Sequence, residues 1–478
     1  MCDSSHAPGE PGSVADCDCL HGVKKPRQEG LDIVSTAIRT TSPGSVETNS
    51  LCALDEIEIE EIAPRTVRIT RNGIPVNGMT DPAIIVNPYP FYERLRRISP
   101  IIRSEQMFSN AWVILDHDDV AALSRDNEFI SNVKSRALID RLPAGLRADF
   151  DPLLRVHSRW MTYEDMPEHS RLRGLLGSAF SQRNVDALRP FIENLATTLL
   201  SRATTDTSFD LMTYARGIPL LTIAYVMGFS DDLLPTFGQC MDDIATYLGA
   251  ESPDIPVMSR AQVGLLKMEA RFKEIVAERQ SAPPRSDFLG HLLSATDQGR
   301  IWSQEELWAQ CTLICFTGSY STRNLIGNTL HSLLTHPSQL KLLQSDHSRI
   351  DNTVEEAARF DCPVQFIGKL TRKEFHYKGI TIEDGGYAIL MIGAANRDPG
   401  RYERADEFDI GRRSRHISYG EGAHACIGQG LARLEGQIAV STFLRLMPNW
   451  TLDPELPPQW GSNPGLRGLV TLPVCAAG

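Results

Sequence analysis

Near the C-terminal end of the chain, one sulfur is set in a segment with unusual backbone freedom: Tyr419-Gly420-Glu421-Gly422-Ala423-His424-Ala425-Cys426-Ile427-Gly428. Three glycines around one cysteine permit a tight loop and the close approach of a flat ligand. A helical pattern follows, with Leu431, Leu434, Ile438, Phe443 and Leu446 spaced for one buried side and Pro448 as the stop. Cys426 therefore falls at a helix N-terminus, where the dipole and free N–H groups favour thiolate over thiol. A soft thiolate suits iron. A lone cysteine is usually a small buried hydrophobe; the glycine spacing and His424 argue for ligation here.

A ligand beside that loop needs a second wall, and the longest helical signal in the chain is the candidate. Ser303-Gln304-Glu305-Glu306 is a capping box, apolar residues continue to Leu334, and Pro337 marks the stop. Such a helix spans about 50 Å. Its middle, Thr317-Gly318-Ser319-Tyr320-Ser321-Thr322, is poor helix composition, so a local opening or bend is expected there, as a groove beside a ligand. Two further spacings place polar pairs on helix faces. Glu356 and Arg359 are three apart, and His169 and Arg173 are four apart in Pro167-Glu168-His169-Ser170-Arg171-Leu172-Arg173.

These segments together resemble the cytochrome P450 family of haem-thiolate monooxygenases. The family loop reads Phe-Gly-x-Gly-x-His/Arg-x-Cys-x-Gly, and residues 419–428 match it except that Tyr419 replaces Phe. Glu356-Ala357-Ala358-Arg359 fits the family's Glu-x-x-Arg, with Arg412 of Phe408-Asp409-Ile410-Gly411-Arg412 as its third member, and Ala395-Asn396-Arg397-Asp398-Pro399 fits the same region. The resemblance spans about residues 80–476. It implies a mainly α fold with a small β region (α+β), and haem b between the long helix and the cysteine loop. Cys426 becomes the axial iron ligand, and a bound thiolate favours O–O cleavage. His169, Arg173 and His424 become partners of the haem propionates, with Lys369, counted back from Gly379, where an Arg is usual, and Arg372 as a nearby substitute. Tyr419, Gly420 and Gly428 complete the cofactor contacts. The catalytic set falls on Gly318, Tyr320, Ser321 and Thr322.

Two departures stand out. Tyr320 occupies the position of the family's acid and Ser321 that of its threonine. A phenol, with a reference pKa near 10, is a weaker proton relay at neutral pH than a carboxylic acid. Atypical haem-thiolate chemistry (nitration, oxidative coupling, dehydration or peroxide-driven oxidation) is therefore carried as an alternative to hydroxylation. Lysine at 369 keeps the charge and loses the planar fork.

Composition bounds the rest. The 478 residues are 42% hydrophobic and 23% charged, as in an ordinary globular chain. A net charge of −12 argues against nucleic acid as the main partner. No run of eighteen apolar residues suggests a membrane span, and MCDSSHAPGE has no signal-peptide pattern, so a cytoplasmic protein is expected. No GxGxxG follows a strand and no ferredoxin cysteine spacing occurs, so electrons are expected from separate proteins, a ferredoxin and ferredoxin reductase. Arg413, Arg415 and Arg433 are the candidate docking residues.

The first 75 residues, rich in Gly, Pro, Ser and Thr, are expected to be a disordered or loosely attached extension before a catalytic domain at 76–478. Within them, LDEIEIEEIA could form a short strand. Cys17, Cys19 and His21 lie close together, but their spacing favours a solvated tail over zinc. The acidic tail motivates one non-enzymatic alternative, a haem-binding sensor or assembly partner. IIRSEQM and AWVILD read as a hairpin turning at Ser109-Asn110. The pocket is expected to draw on 128–162, 211–250, Phe316 to Ser321, Val364 to Phe366 and Gly465-Leu466, with Gln365 as a notable polar group. That mixture suggests a functionalised small molecule from specialised biosynthesis, including one tethered to a carrier protein.

Overall fold

The computed structural model describes residues 45–46, 54–126, 129–130, 142, 144–203, 208–230, 233–249, 254–296, 299, 301–413 and 415–476. The Cys17, Cys19 and His21 group lies outside them, as does most of the acidic tail. Helices dominate. The principal ones are α1 (Tyr89–Ile98), α2 (His117–Arg125), α3 (Glu168–Gly177), α4 (Leu211–Met227), α5 (Leu234–Gly249), α6 (Ile255–Gln280), α7 (Gln304–Thr335), α8 (Ile350–Phe360) and α9 (Gln429–Leu446). Among the described residues no helix is long and apolar enough to cross a membrane.

An eight-stranded sheet stands to one side. Its strands are β1 (Ile57–Ala63), β2 (Thr66–Arg71), β3 (Ile74–Pro75), β4 (Ile101–Ser104), β5 (Met107–Ile114), β6 (Phe129–Ile130), β7 (Ile367–Thr371) and β8 (Tyr387–Leu390). The order is β1-β2-β4-β5-β8-β7-β6, with β3 on β2. Residues expected to be loosely attached thus build part of this sheet. Ile57, Val67 and Ile69 are buried under it against Phe91 and Leu95 of α1, and burial of that apolar face is what holds the segment. LDEIEIEEIA does form a strand, β1, as its alternation suggests.

The β4–β5 hairpin exists, but its turn is at Glu105-Gln106. Ser104 pairs with Met107, and the Ser104 hydroxyl accepts the Gln106 N–H at 3.2 Å. Phe108, Ser109 and Asn110 instead take left-handed backbone angles (φ 50°, 54° and 65°) inside β5. They are turn-like locally, yet pairing resumes beyond them at Arg103 with Trp112. Register, not local propensity, decided the turn.

Helix α7 crosses the helical body as its central member. Ser303 accepts from the Glu306 N–H, and Glu306 reaches back to the Ser303 N–H at 2.8 Å, which completes the capping box. The expected opening is absent: the helix is continuous through Thr317–Thr322. Thr317, Ser319 and Ser321 each donate their hydroxyl to the carbonyl four residues back, at 2.8, 2.7 and 3.0 Å. The hydroxyls are satisfied along the helix without breaking its ladder. Gly318 serves a helix crossing as well: a Cβ there would lie 2.5 Å from Ile223 Cδ1 of α4.

Behind the cysteine loop, Glu356 and Arg359 of α8 are both buried and joined by two hydrogen bonds of 2.8 Å. Arg412 adds a 3.2 Å contact to Glu356. Arg359 also donates to the Asn396 and Ala405 carbonyls at 2.8 Å each. A dry charged pair survives only when its remaining donors are engaged in this way. Here those donors tie α8 to the segment leading into the cysteine loop. The last strands among the described residues are Leu469–Thr471 and Pro473–Ala476.

Candidate active site

The cysteine loop is built by two left-handed glycines and the cap of α9. Gly420 and Gly422 both have φ +73°, and a Cβ on Gly422 would press on the Arg125 backbone at 3.1 Å. The Cys426 N–H donates to the Tyr419 carbonyl at 2.7 Å, which closes the loop. Helix α9 begins at Gln429 with Gly428 as its cap, so Cys426 lies two residues ahead of the cap. The N–H groups of Gly428 and Gln429, with Arg173 and Arg433, pull the thiol pKa down, but burial pushes it up and prevails. A bound metal cation would add to the pull of the helix end toward the thiolate. Tyr419 packs behind the loop under the Arg433 guanidinium, 4.4 Å from its ring centroid.

Cys426 opens onto a cavity of about 600 Å³. The α7 residues Gly318, Tyr320, Ser321 and Thr322 line the same cavity, as do His169 and Arg173 of α3, Lys369 of β7, and Tyr419, Gly420, His424 and Gly428. The catalytic and cofactor-contact residues expected from the sequence thus share one space. The rings of His169 and His424 lie 3.9 Å apart. Burial lowers the pKa of His169, helped by Arg173. His424 is held down to about 3 by burial and by His169, Lys369 and Arg173. Lys369 is buried and donates to the Ser124 carbonyl of α2 at 3.1 Å, and burial lowers its pKa. Arg372 instead pairs with Asp165 at 3.2 Å and does not line the cavity.

Four nitrogen-bearing side chains around one cavity make a site for an anion with several acceptor oxygens. Neither ring nitrogen of buried His169 has a hydrogen-bond partner among the described residues. A soft sulfur, a glycine-built loop and these donors fit a flat metal macrocycle that carries carboxylates.

Other expectations need revision. Gln365 does not line the cavity. It is buried, donates to the Cys362 carbonyl at 2.7 Å and accepts from Tyr92. Arg433 is bound to Glu355 by two contacts of 2.8 and 2.9 Å, so its charge is largely spent within the fold. Residues 128–162 contribute Met161 and Thr162, and residues 211–250 contribute Ile223, Leu248 and Gly249. The rest of 131–141 lies outside the described residues.

One lining residue was missed. Glu435 of α9 is fully buried, with the Thr222 hydroxyl beside it. Burial pushes its pKa up to about 8, with the Thr222 hydroxyl pulling slightly down. The signal was available: Glu435 follows Leu431 by four, on the face read as buried.

Comparison with known proteins agrees with this site. The family model "Cytochrome P450" matches residues 97–459. The biotin biosynthesis cytochrome P450 of Bacillus subtilis (strain 168) is 30% identical over 395 residues, 81% of this chain and 96% of that protein. The polyketide biosynthesis cytochrome P450 PksS of the same organism is 32% identical over 405 residues, 81% of this chain and 95% of that protein. The crystal structure of P450BioI in complex with hexadec-9Z-enoic acid ligated acyl carrier protein superposes with a TM-score of 0.75 at 28% identity, covering 82% of this chain and 99% of that one. A haem-thiolate oxidoreductase fold and a cysteine-centred cavity thus go together, and the chain belongs to the cytochrome P450 family. It is a monooxygenase of that family, akin to enzymes of biosynthetic pathways.

Proposed function

We propose that the chain binds haem b through Cys426 and hydroxylates or otherwise oxidises a small organic molecule with O₂, using electrons from a ferredoxin and its reductase in the cytoplasm. The haem supplies oxygen activation at its iron, and the thiolate ligand raises the electron density there. Cys426 is the ligand, and the N–H groups of Gly428 and Gln429 with Arg173 temper its charge. His169, Arg173, Lys369 and His424 hold the propionates. Ser321 has its proton committed to the Thr317 carbonyl, so its oxygen acts as an acceptor toward the cavity. Thr322 supplies the neighbouring hydroxyl. Glu435 keeps a proton at neutral pH next to that space. Apolar walls from α4, α7 and the sheet exclude bulk water.

The carrying observation is the convergence of Cys426, the propionate partners and the α7 residues on one cavity. Biosynthesis of a specialised metabolite is supported by the pathways in which the two named relatives act. A carrier-tethered substrate is supported by the structure of a relative that holds one.

The testing experiment is the absorption spectrum of the reduced protein under carbon monoxide. A red-shifted Soret band is expected, and Cys426→Ala should lose it. An unshifted band in the wild type would withdraw the thiolate ligand and the reaction built on it.

A second reading, atypical oxidation on the same haem, is favoured by Tyr320, which is buried and has its phenol pKa raised by burial. Under that reading Tyr320→Asp impairs native turnover. Unchanged or faster turnover in that variant removes its support.

A further inference from the structure

Tyr320 is held by more than packing. The Arg323 guanidinium lies 3.6 Å from the Tyr320 ring centroid. Arg323 is fixed in turn by Asp242 of α5, with Nη1 2.9 Å from Oδ1 and side chains only 11% and 9% exposed. A cation–π contact is stronger when it is desolvated in this way. The same helix, α5, ends in Leu248 and Gly249, which line the cavity. One ring face is thus occupied by a cation that another helix pins, and the ring still lines the cavity. An acid at 320 would stand three residues from Arg323 on one helix face and compete with Asp242 for it.

Tyr320 also ends a wall of rings. Phe316, one turn earlier, lies 6.1 Å from it at 32°. Trp160 stacks behind Phe316 at 5.9 Å and 19°, and on Tyr163 at 6.2 Å and 9°. Trp160 is itself fixed by donating its indole N–H to Thr312 at 3.0 Å. Tyr163, Phe316 and Tyr320 line the cavity, with Trp160 stacked against the first two. A wall ordered before the ligand arrives loses little entropy on binding.

We propose that Tyr320 is the specificity-determining residue of this cavity, positioned by Arg323 and Asp242, and that the site selects molecules presenting a flat aromatic or conjugated face to the Tyr163–Phe316–Tyr320 wall. This rests on the reading of the cavity as the substrate chamber of a haem enzyme.

The test is calorimetric binding of two probes to the haem-loaded protein: naphthalen-2-ylmethanol and decahydronaphthalen-2-ylmethanol. They share a carbon skeleton and a hydroxyl and differ in flatness. The saturated probe is the more hydrophobic, so partitioning alone would favour it. The expected result is tighter binding of the flat probe by about three- to tenfold, the worth of one or two aromatic contacts. Tyr320→Phe and Arg323→Lys should keep that preference, because ring and cation remain. Tyr320→Leu and Arg323→Ala should lose it. If Arg323→Ala fails to fold, Tyr320→Leu against Tyr320→Phe decides. Equal binding of the two probes by the wild type, or a preference that survives Tyr320→Leu, overturns the proposal. A preference that survives Arg323→Ala overturns the positioning role. The carbon monoxide spectrum of the same sample separates the two levels: a shifted band without the preference overturns this inference alone, and a missing band overturns the haem reading beneath it.

Discussion

At the scale of single residues, the cavity sets imidazole and carboxyl against burial. The His424 ring and the Glu435 carboxyl are both pushed toward their neutral forms. Glu435 allows a direct measurement. Its pKa rises from 4.5 in the unfolded chain to about 8 in the fold, so the folded protein binds a proton that the unfolded chain releases between those values. The stability this group contributes is full below about pH 4.5 and is lost as pH rises through about 8. Glu435→Gln keeps the shape and removes the titration. Between pH 5 and 8 the wild type should lose stability relative to the variant on the order of a few kcal/mol, read by denaturant melts at each pH. Parallel profiles would show that Glu435 does not titrate in this way. Cys426, His424 and His169 were legible because their signal is local: a motif or a spacing of four. Glu435 was not read as a site residue although its spacing from Leu431 put it on the buried face. The Arg323–Asp242 pair was not legible, because its partners stand 81 residues apart.

At the scale of elements, α7 shows why sequence reasoning succeeded at the ends of a helix and failed in its middle. A capping box is complete within four residues, so Ser303 and Glu306 announce the start. The weak segment at 317–322 was read as an opening because Gly, Ser and Thr disfavour helix in isolation. In the fold, hydroxyls bond back along the helix and Gly318 admits Ile223 of α4. The glycine is thus explained by a neighbour that the local sequence does not show. Gly318→Ala should destabilise the protein by about 1–3 kcal/mol through overpacking, and Ile223→Val in the same chain should recover part of the loss. A thermal or denaturant melt reads both, and a neutral Gly318→Ala would mean that the two helices separate freely at this point. The misplaced hairpin turn has the same cause. Phe108 to Asn110 look like a turn, but the pairing of Ser104 with Met107 had already closed the loop.

At the scale of the whole molecule, the proposed reduction by a separate ferredoxin would need a docking face on a chain of net charge −12. Arg433 is engaged by Glu355, whereas Arg413 is exposed and Arg415 is 81% exposed with a longer contact of 3.4 Å to Glu421. Arg413→Glu with Arg415→Glu should slow reduction by a ferredoxin about tenfold at low ionic strength, with the difference closing as salt is raised. Stopped-flow reduction measures this, and an unchanged low-salt rate would move the docking face elsewhere. The overall architecture and the cysteine loop were legible because the motifs at 356–428 are long and specific. The boundary at residue 75 was not, because alternating Ile and Glu in a polar stretch become a strand only when a sheet accepts them. That added strand has a consequence for the protein in a crowded solution. Among the described residues β1 is an outer strand of the sheet, with Ile62 46% exposed beside Glu58, Glu60 and Glu61. An open strand edge is a template on which a second chain can pair. The row of carboxylates would make such copies repel one another, so acidification should raise the tendency of the folded protein to self-associate.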